Sequence, residues 1–156
     1  MPTMVARLLD LADQMATEGA RSSALGRRAV STAYYAAFHA LAKSCAGVLL
    51  PSVDRSSEIY QRVYRALDHG PLRTAFTTGG SPLRDRENLR KIGELIVALQ
   101  NERHRADYLP ANPRMFRDGA KNLVDQARQA VSEIERLSDD DRIALATFLL
   151  FKSRSP

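Results

Sequence analysis

Apolar side chains along this chain recur at steps of three and four residues, and no stretch alternates apolar and polar positions for long. This spacing is typical of amphipathic helices with one buried face, whereas alternation is typical of strands. We therefore predict an all-α fold, an up-and-down helical bundle of about five or six helices. A chain of 156 residues has the size of a single domain, and we expect residues 1–156 to form one.

Capping residues and helix breakers divide this pattern into separate helices. Thr3 and Ser138 are favourable N-caps, and Ser81 followed by Pro82 is a typical helix start. Gly70-Pro71 is expected to end a helix, and residues 77–82 form the clearest loop. The predicted helices span residues 3–18, 22–49, 56–67, 82–108, 112–137 and 139–152.

Composition narrows the class of protein. Hydrophobic residues make up 44% and charged residues 26%, which excludes an intrinsically disordered chain. The single cysteine, Cys45, excludes a disulfide framework and a multi-cysteine zinc site, and we expect neither a metal nor another cofactor. No apolar run reaches the roughly 18 residues of a membrane helix, and the N-terminus lacks the order of a signal peptide. We therefore expect a cytoplasmic protein with no membrane partner.

The charge balance is basic, with 23 Lys and Arg against 18 Asp and Glu, a net charge of +5. Most of the excess lies between residues 55 and 121, and arginine supplies nearly all of it. Because the arginine fork suits phosphate and carboxylate groups, a nucleic-acid or nucleotide partner is one interpretation. Solvated helix faces in an arginine-rich protein are the other.

The predicted helix 22–49 carries a polar face on an otherwise apolar surface. Tyr34 and Cys45 belong to its apolar stripe and are expected in the core. The polar face can be a seam between helices, a dimer contact, or one wall of a nucleotide pocket. In the pocket, Arg28 would contact a phosphate and His39 would donate or accept a proton. The face consists of four hydrogen-bonding residues: Arg28, Thr32, Tyr35 and His39.

The predicted helix ending at Tyr108 places a charge on its buried stripe. Arg103 occupies the next position on that stripe, and Asp107 lies one turn further along. An isolated buried charge is costly, so Arg103 is expected to be paired or to line a cleft. The pair with Asp107 either fixes the helix end or orients the guanidinium toward a ligand. His104 and Arg105 add positive charge on neighbouring faces.

Two segments carry motif-like clusters on these helices. Residues 27–40 have the sequence Arg-Arg-Ala-Val-Ser-Thr-Ala-Tyr-Tyr-Ala-Ala-Phe-His-Ala, and residues 103–108 have Arg-His-Arg-Ala-Asp-Tyr. Together they resemble the signatures of HEPN domains, in particular those of small stand-alone prokaryotic HEPN proteins. The segment at residues 65–70 is also similar to bacterial members. The likeness covers a motif-bearing core of about residues 22–137 and leaves out the C-terminal helix, about residues 139–152.

The resemblance implies a homodimeric helical module that binds RNA or a nucleotide. The resemblance also implies that the protein is one half of a toxin–antitoxin or defence pair, and that the partner protein is a nucleotidyltransferase. Residues of the fourth predicted helix, 82–108, and of the last helix are candidates for the dimer contact, those of the last helix being Ile143, Leu145, Phe148, Leu149 and Phe151. The candidate ligand-binding residues are Arg28, Tyr35, His39, Arg103, Asp107 and Tyr108.

Two other functions stay open, a metal-independent endoribonuclease toxin and a non-catalytic protein-interaction subunit. Active ribonucleases of the superfamily carry an Arg, four to six residues and then a His, and they use the 2′-hydroxyl of RNA as the nucleophile. The helix ending at Tyr108 has no histidine at that spacing. Arg62 and His69 match the spacing outside the expected helix, which we interpret as a chance match. The candidate catalytic residues are therefore His39, His69 and Arg62.

Overall fold

The structure is a computed structural model that describes residues 2–110 and 119–152. All regular structure in these residues is helical, which confirms the all-α prediction. No helix in the described ranges is both long and apolar enough to cross a membrane. The described residues form seven α-helices, where about five or six helices were predicted, together with a 3-10 turn at Pro82–Arg84. The α-helices are α1 (Met4–Glu18), α2 (Ser23–Leu49), α3 (Glu58–Tyr64), α4 (His69–Thr77), α5 (Glu87–Tyr108), α6 (Ala120–Glu135) and α7 (Asp139–Leu150).

Helix α4 is the additional element, and its presence shows that the predicted break at Gly70-Pro71 is wrong. Asp68 caps the helix by accepting a hydrogen bond from the backbone N–H of His69 at 2.8 Å. Pro71 lies in the first turn of α4, where a backbone N–H has no intrahelical acceptor, so proline costs little there. Leu72 and Phe76 are buried, and this packing stabilises the short helix.

The start of α5 also differs from the predicted helix 82–108. The hydroxyl of Ser81 donates a hydrogen bond to the carbonyl of Ala75 at 2.5 Å and does not cap the following turn. The chain therefore makes only a 3-10 turn after Ser81, and α5 begins at Glu87 and ends at Tyr108 as predicted. Helices α1 and α2 agree with their predictions within one residue at each end.

Helix α7 has the predicted cap, since the hydroxyl of Ser138 accepts a hydrogen bond from the backbone N–H of Asp141 at 3.2 Å. The predicted cap of the preceding helix, Asn112, lies outside the described residues. Leu145 and Leu149 are buried within the chain, so the prediction that they contribute to a dimer contact is wrong. The other large apolar side chains named for that contact are exposed: Ile143, Phe148 and Phe151.

The chain divides into two compact units, and each unit joins two separate stretches of sequence. The first unit comprises Met1–Ala40 and Leu95–Ser132 and contains α1, most of α2, the C-terminal part of α5 and most of α6. Within it, Arg128 and Asp10 form an ion pair of 3.1 Å between α6 and α1.

The second unit comprises Leu41–Glu94 and Glu133–Pro156 and contains α3, α4, the 3-10 turn and α7. Arg86 at the start of α5 forms an ion pair of 2.9 Å with Asp141 at the start of α7. Phe76 of α4 packs against Gly93 of α5 so closely that a Cβ atom at Gly93 would lie 2.9 Å from the Cγ atom of Phe76. This contact leaves no room for a side chain at Gly93.

Candidate functional site

Arg27 ties the start of α2 to the end of α5 within the first unit. Its Nε donates a hydrogen bond to the carbonyl of Ala106 at 2.7 Å, and its Nη2 donates one to the carbonyl of Leu109 at 2.6 Å. Carbonyls at a helix C-terminus lack intrahelical donors and carry partial negative charge, so a guanidinium satisfies both needs. Sequence reasoning selected Arg28 and missed Arg27, because nothing in the spacing shows which of two adjacent arginines faces another helix.

Arg103 forms the predicted ion pair with Asp107. The Nη1 atom of Arg103 lies 3.5 Å from the Oδ2 atom of Asp107, and the two side chains are 13% and 25% exposed. The carboxylate of Asp107 also accepts a hydrogen bond of 3.4 Å from the hydroxyl of Ser31 on α2. Asp107 therefore connects Arg103 to α2 as well as to its own helix.

The guanidinium of Arg103 lies over two tyrosine rings of α2. Its Cζ atom is 5.2 Å from the ring centroid of Tyr34 and 5.9 Å from that of Tyr35, both within the range of cation–π interactions. Tyr34 is fully buried, and its hydroxyl accepts a hydrogen bond of 3.4 Å from Nε2 of Gln100. Tyr34 therefore lies in the core, as its apolar stripe predicts, and also contacts the polar group. We call Ser31, Tyr34, Tyr35, Arg103 and Asp107 the arginine cluster.

Burial and neighbouring charges shift the pKa values of Tyr34 and Arg103 in opposite directions. Burial is the larger effect on Tyr34 and raises its pKa to about 12. The charge of Arg103 opposes this rise. Burial also disfavours the charge on Arg103, but Tyr35, Tyr34 and Asp107 outweigh it and raise the pKa of Arg103 above its ordinary value. Arg103 is thus held charged, and its buried Nε atom has no hydrogen-bond acceptor among the residues that the structure describes.

Arg28 and His39 lie on the same face of α2 as Tyr35, in different surroundings. Arg28 is exposed, and it forms no hydrogen bond or ion pair within the described part of the chain. His39 is half-buried, its ring meets that of Phe38 edge-on at 6.1 Å, and burial lowers its pKa. The face therefore offers an exposed cation at one end and a half-buried imidazole at the other.

Tyr108 lies in the last turn of α5, next to the arginine cluster. Its ring is 5.0 Å from the ring of His104 between centroids, at an interplanar angle of 46°, and Tyr108 is 67% exposed. This pair lies about 100° around the helix from Arg103 and Asp107, because its members are offset by one residue from that pair. Arg105 pairs with Glu102 at 3.0 Å on a further face.

The candidate catalytic residues Arg62 and His69 lie in the second unit, on different helices. Arg62 is exposed on α3 and forms an ion pair of 3.4 Å with Glu58. His69 is the first residue of α4. Within residues 2–110 and 119–152, no three His, Cys, Asp or Glu side chains are grouped as metal ligands. His39, by contrast, belongs to the first unit, on α2.

Comparison with known proteins finds no match among family models, curated proteins or solved structures. The likeness to HEPN domains therefore stays a prediction from the sequence, based on residues 27–40 and 103–108 and on the segment 65–70. In the first unit the segments 27–40 and 103–108 are in direct contact, through Arg27 and the carbonyl of Ala106, through Ser31 and Asp107, and through the rings of Tyr34 and Tyr35 against Arg103.

Proposed function

We propose that this chain is a HEPN-like module that binds a nucleotide or RNA beside the arginine cluster. One observation carries the proposal: the two segments that resemble HEPN signatures meet at Arg103, a charged and largely buried side chain. A guanidinium with a fixed position and charge is well suited to a phosphate or a base edge. Asp107 and the two tyrosine rings hold Arg103 in place, so binding would not have to order a flexible side chain.

The charge around the cluster supports an anionic ligand. Four arginines lie in the two contacting segments, and Asp107 and the nearby Glu102 are each already paired with one of them. Arg28 and Arg105 are the exposed members of this set, and Arg105 is already paired with Glu102. It follows that a phosphate group would meet an excess of positive charge without displacing a carboxylate.

Substitution of Arg28 tests this proposal with little risk to the fold. Arg28→Ala should leave the free energy of unfolding within about 0.5 kcal/mol of wild type, because the side chain is exposed. It should weaken binding of a labelled single-stranded RNA, measured by fluorescence anisotropy. The slope of log Kd against the logarithm of the salt concentration should fall by roughly one, because one phosphate contact is lost.

Arg90→Ala is the matched control, since Arg90 is an exposed arginine of α5 in the second unit. It should leave affinity almost unchanged. Equal losses for the Arg28 and Arg90 variants would mean that RNA is attracted by net charge alone, and the proposed site would be wrong. Absence of binding to RNA and to mononucleotides would also refute it.

Binding, and not cleavage, is proposed because no histidine follows Arg103 at the spacing of the active ribonucleases. The assay is incubation of single-stranded RNA with purified protein and a chelator. We expect intact RNA. Cleavage by wild type that His39→Ala or His69→Ala abolishes would instead establish a metal-independent endoribonuclease.

We further propose that the module is homodimeric and pairs with a nucleotidyltransferase in a toxin–antitoxin or defence locus. The partner enzyme is implied by the motif likeness, and its test is co-purification with the product of the adjacent gene. The dimer is supported by exposed apolar side chains at α7, Ile143 and Phe148 within the helix and Phe151 directly after it. Its first turn is acidic and Lys152 follows its end, so two antiparallel copies would be complementary in charge. Light scattering should give twice the chain mass of 17.3 kDa, and Phe148→Lys should give a monomer.

A further inference from the structure

Two aromatic rings at the end of α5, those of His104 and Tyr108, are exposed. Tyr108 is 67% exposed, more than any other large apolar or aromatic side chain in the described residues. His104 is also exposed, and the two rings lie one helical turn apart with their centroids at 5.0 Å. Leu109 follows Tyr108 and is itself 41% exposed. Together these side chains present an aromatic surface to solvent.

Arginine side chains lie at the same end of α5. Arg27 binds the carbonyls on either side of the last turn, at Ala106 and Leu109, which fixes the start of α2 beside it. Arg28 is the next residue of α2 and is exposed. Arg105 lies on the same turn of α5 as His104. Exposed aromatic rings beside cations are the usual components of sites for unpaired bases, since the rings stack on bases and the cations contact phosphates.

We infer that Tyr108 and His104 form a stacking platform for one unpaired base of single-stranded RNA, with Arg28 contacting a neighbouring phosphate. This inference rests on the proposed function and narrows it from nucleotides and RNA in general to an unstacked strand. A duplex keeps its bases stacked in pairs and cannot place one on the rings without opening. The platform therefore selects single strands over duplexes.

Tyr108→Ala and Tyr108→Phe separate stacking from other contributions. Base–aromatic stacking contributes about 1–3 kcal/mol, so Tyr108→Ala should weaken binding of a short labelled oligoadenylate roughly fivefold to a hundredfold. Tyr108→Phe keeps the ring and should bind within about twofold of wild type. Both variants should fold normally, which circular dichroism checks, because the side chain is exposed. Ile59→Ala is the control, since Ile59 is an exposed apolar residue of the second unit, and it should leave affinity unchanged.

Two further probes identify the form of the ligand. A duplex of the same length should bind more weakly than the single strand, and free AMP should compete poorly if the strand is the ligand. AMP that binds as tightly as the oligoadenylate, and loses affinity with Tyr108→Ala, would make a free nucleotide the occupant of the platform and overturn the single-strand assignment.

Failure of this inference differs from failure of the proposed function. Unchanged affinity in Tyr108→Ala with lost affinity in Arg28→Ala would overturn the stacking platform and leave the arginine cluster as the binding site. Equal affinity for duplex and single strand would likewise overturn it. If wild type binds neither RNA nor AMP, the proposed function fails, and the platform fails with it.

Discussion

Arg103 stabilises the contact between α2 and α5, and Arg103→Ala measures how strongly. The substitution removes the ion pair to Asp107 at 3.5 Å and two cation–π contacts at 5.2 and 5.9 Å. A cation over a buried ring contributes about 1–2 kcal/mol, and a partly exposed ion pair adds about 0–1 kcal/mol. Asp107 keeps the hydrogen bond from Ser31 and some solvent contact, so it is not left fully buried and unpaired. We expect a loss of roughly 1–3 kcal/mol in the free energy of unfolding.

Urea denaturation followed by far-ultraviolet circular dichroism gives this free energy, and thermal melting gives a second estimate. For a domain of this size each 1 kcal/mol changes Tm by about 2–4 °C, so the variant should melt roughly 2–12 °C lower. Arg103→Lys keeps the charge but loses the planar fork, and it should recover only part of the loss. A double-mutant cycle with Asp107→Asn isolates the pair, for which we expect a coupling of about 0.5–1 kcal/mol.

A change in stability of less than about 0.5 kcal/mol in Arg103→Ala, the usual range for exposed side chains, would refute a stabilising role for Arg103. Arg28→Ala is the reference for that range, because Arg28 is exposed on the same face of α2 as Tyr35. A coupling near zero with Asp107→Asn would leave the two tyrosine rings as the source of any measured loss.

Burial raises the pKa of Tyr34 to about 12 from an ordinary value of 10.0, so the folded state holds this proton more tightly than the unfolded state. The free energy of unfolding should therefore fall as pH rises from about 10 to 12. Tyr34→Phe should remove this part of the loss in thermal melts across that pH range. Burial lowers the pKa of His39, so stability should fall as pH drops below about 6.5, and His39→Gln should melt with less acid dependence. Gly93→Ala should destabilise by about 1–3 kcal/mol because its Cβ would meet the ring of Phe76. Gly47→Ala, inside α2 with nothing within 4 Å of the new Cβ, should be neutral or stabilising by up to about 1 kcal/mol in the same urea titration.

The sequence by itself determined where α1 and α2 lie, where α5 ends and which face of α5 is buried. The steps of three and four residues in α5 lead through Leu89, Ile92 and Leu99, all fully buried, to Arg103. The pairing of Arg103 with Asp107 also followed from the sequence, because residues four apart are neighbours on any helix and a charge on a buried stripe needs a partner. Capping is equally local, which is why Thr3 and Ser138 were predictable as caps.

The tertiary structure alone decided which side chains of α2 meet the end of α5. Arg27 and Arg28 are adjacent and chemically identical, yet Arg27 binds two carbonyls of α5 and Arg28 faces solvent. Tyr34 and Tyr35 both contact the same guanidinium, although only Tyr35 lay on the predicted polar face. The rotation of one helix about its axis relative to another depends on how all their side chains pack together. The spacing of residues within either helix indicates the buried face but does not fix that rotation closely enough to separate adjacent residues.

Packing also determined where helices form when the local sequence preference is weak. Helix α4 forms across Gly70-Pro71 because Leu72 and Phe76 bury their side chains, and burial outweighs the low helix propensity of glycine and proline near its start. The hydroxyl of Ser81 could accept a hydrogen bond as an N-cap or donate one to a carbonyl. It donates to the carbonyl of Ala75 and does not cap the next turn. The local preference for a helix over a break differs by about 1 kcal/mol or less at such positions. Burial of one large apolar side chain contributes about 1.5–3 kcal/mol. Contacts between residues distant in sequence therefore determine whether the helix forms.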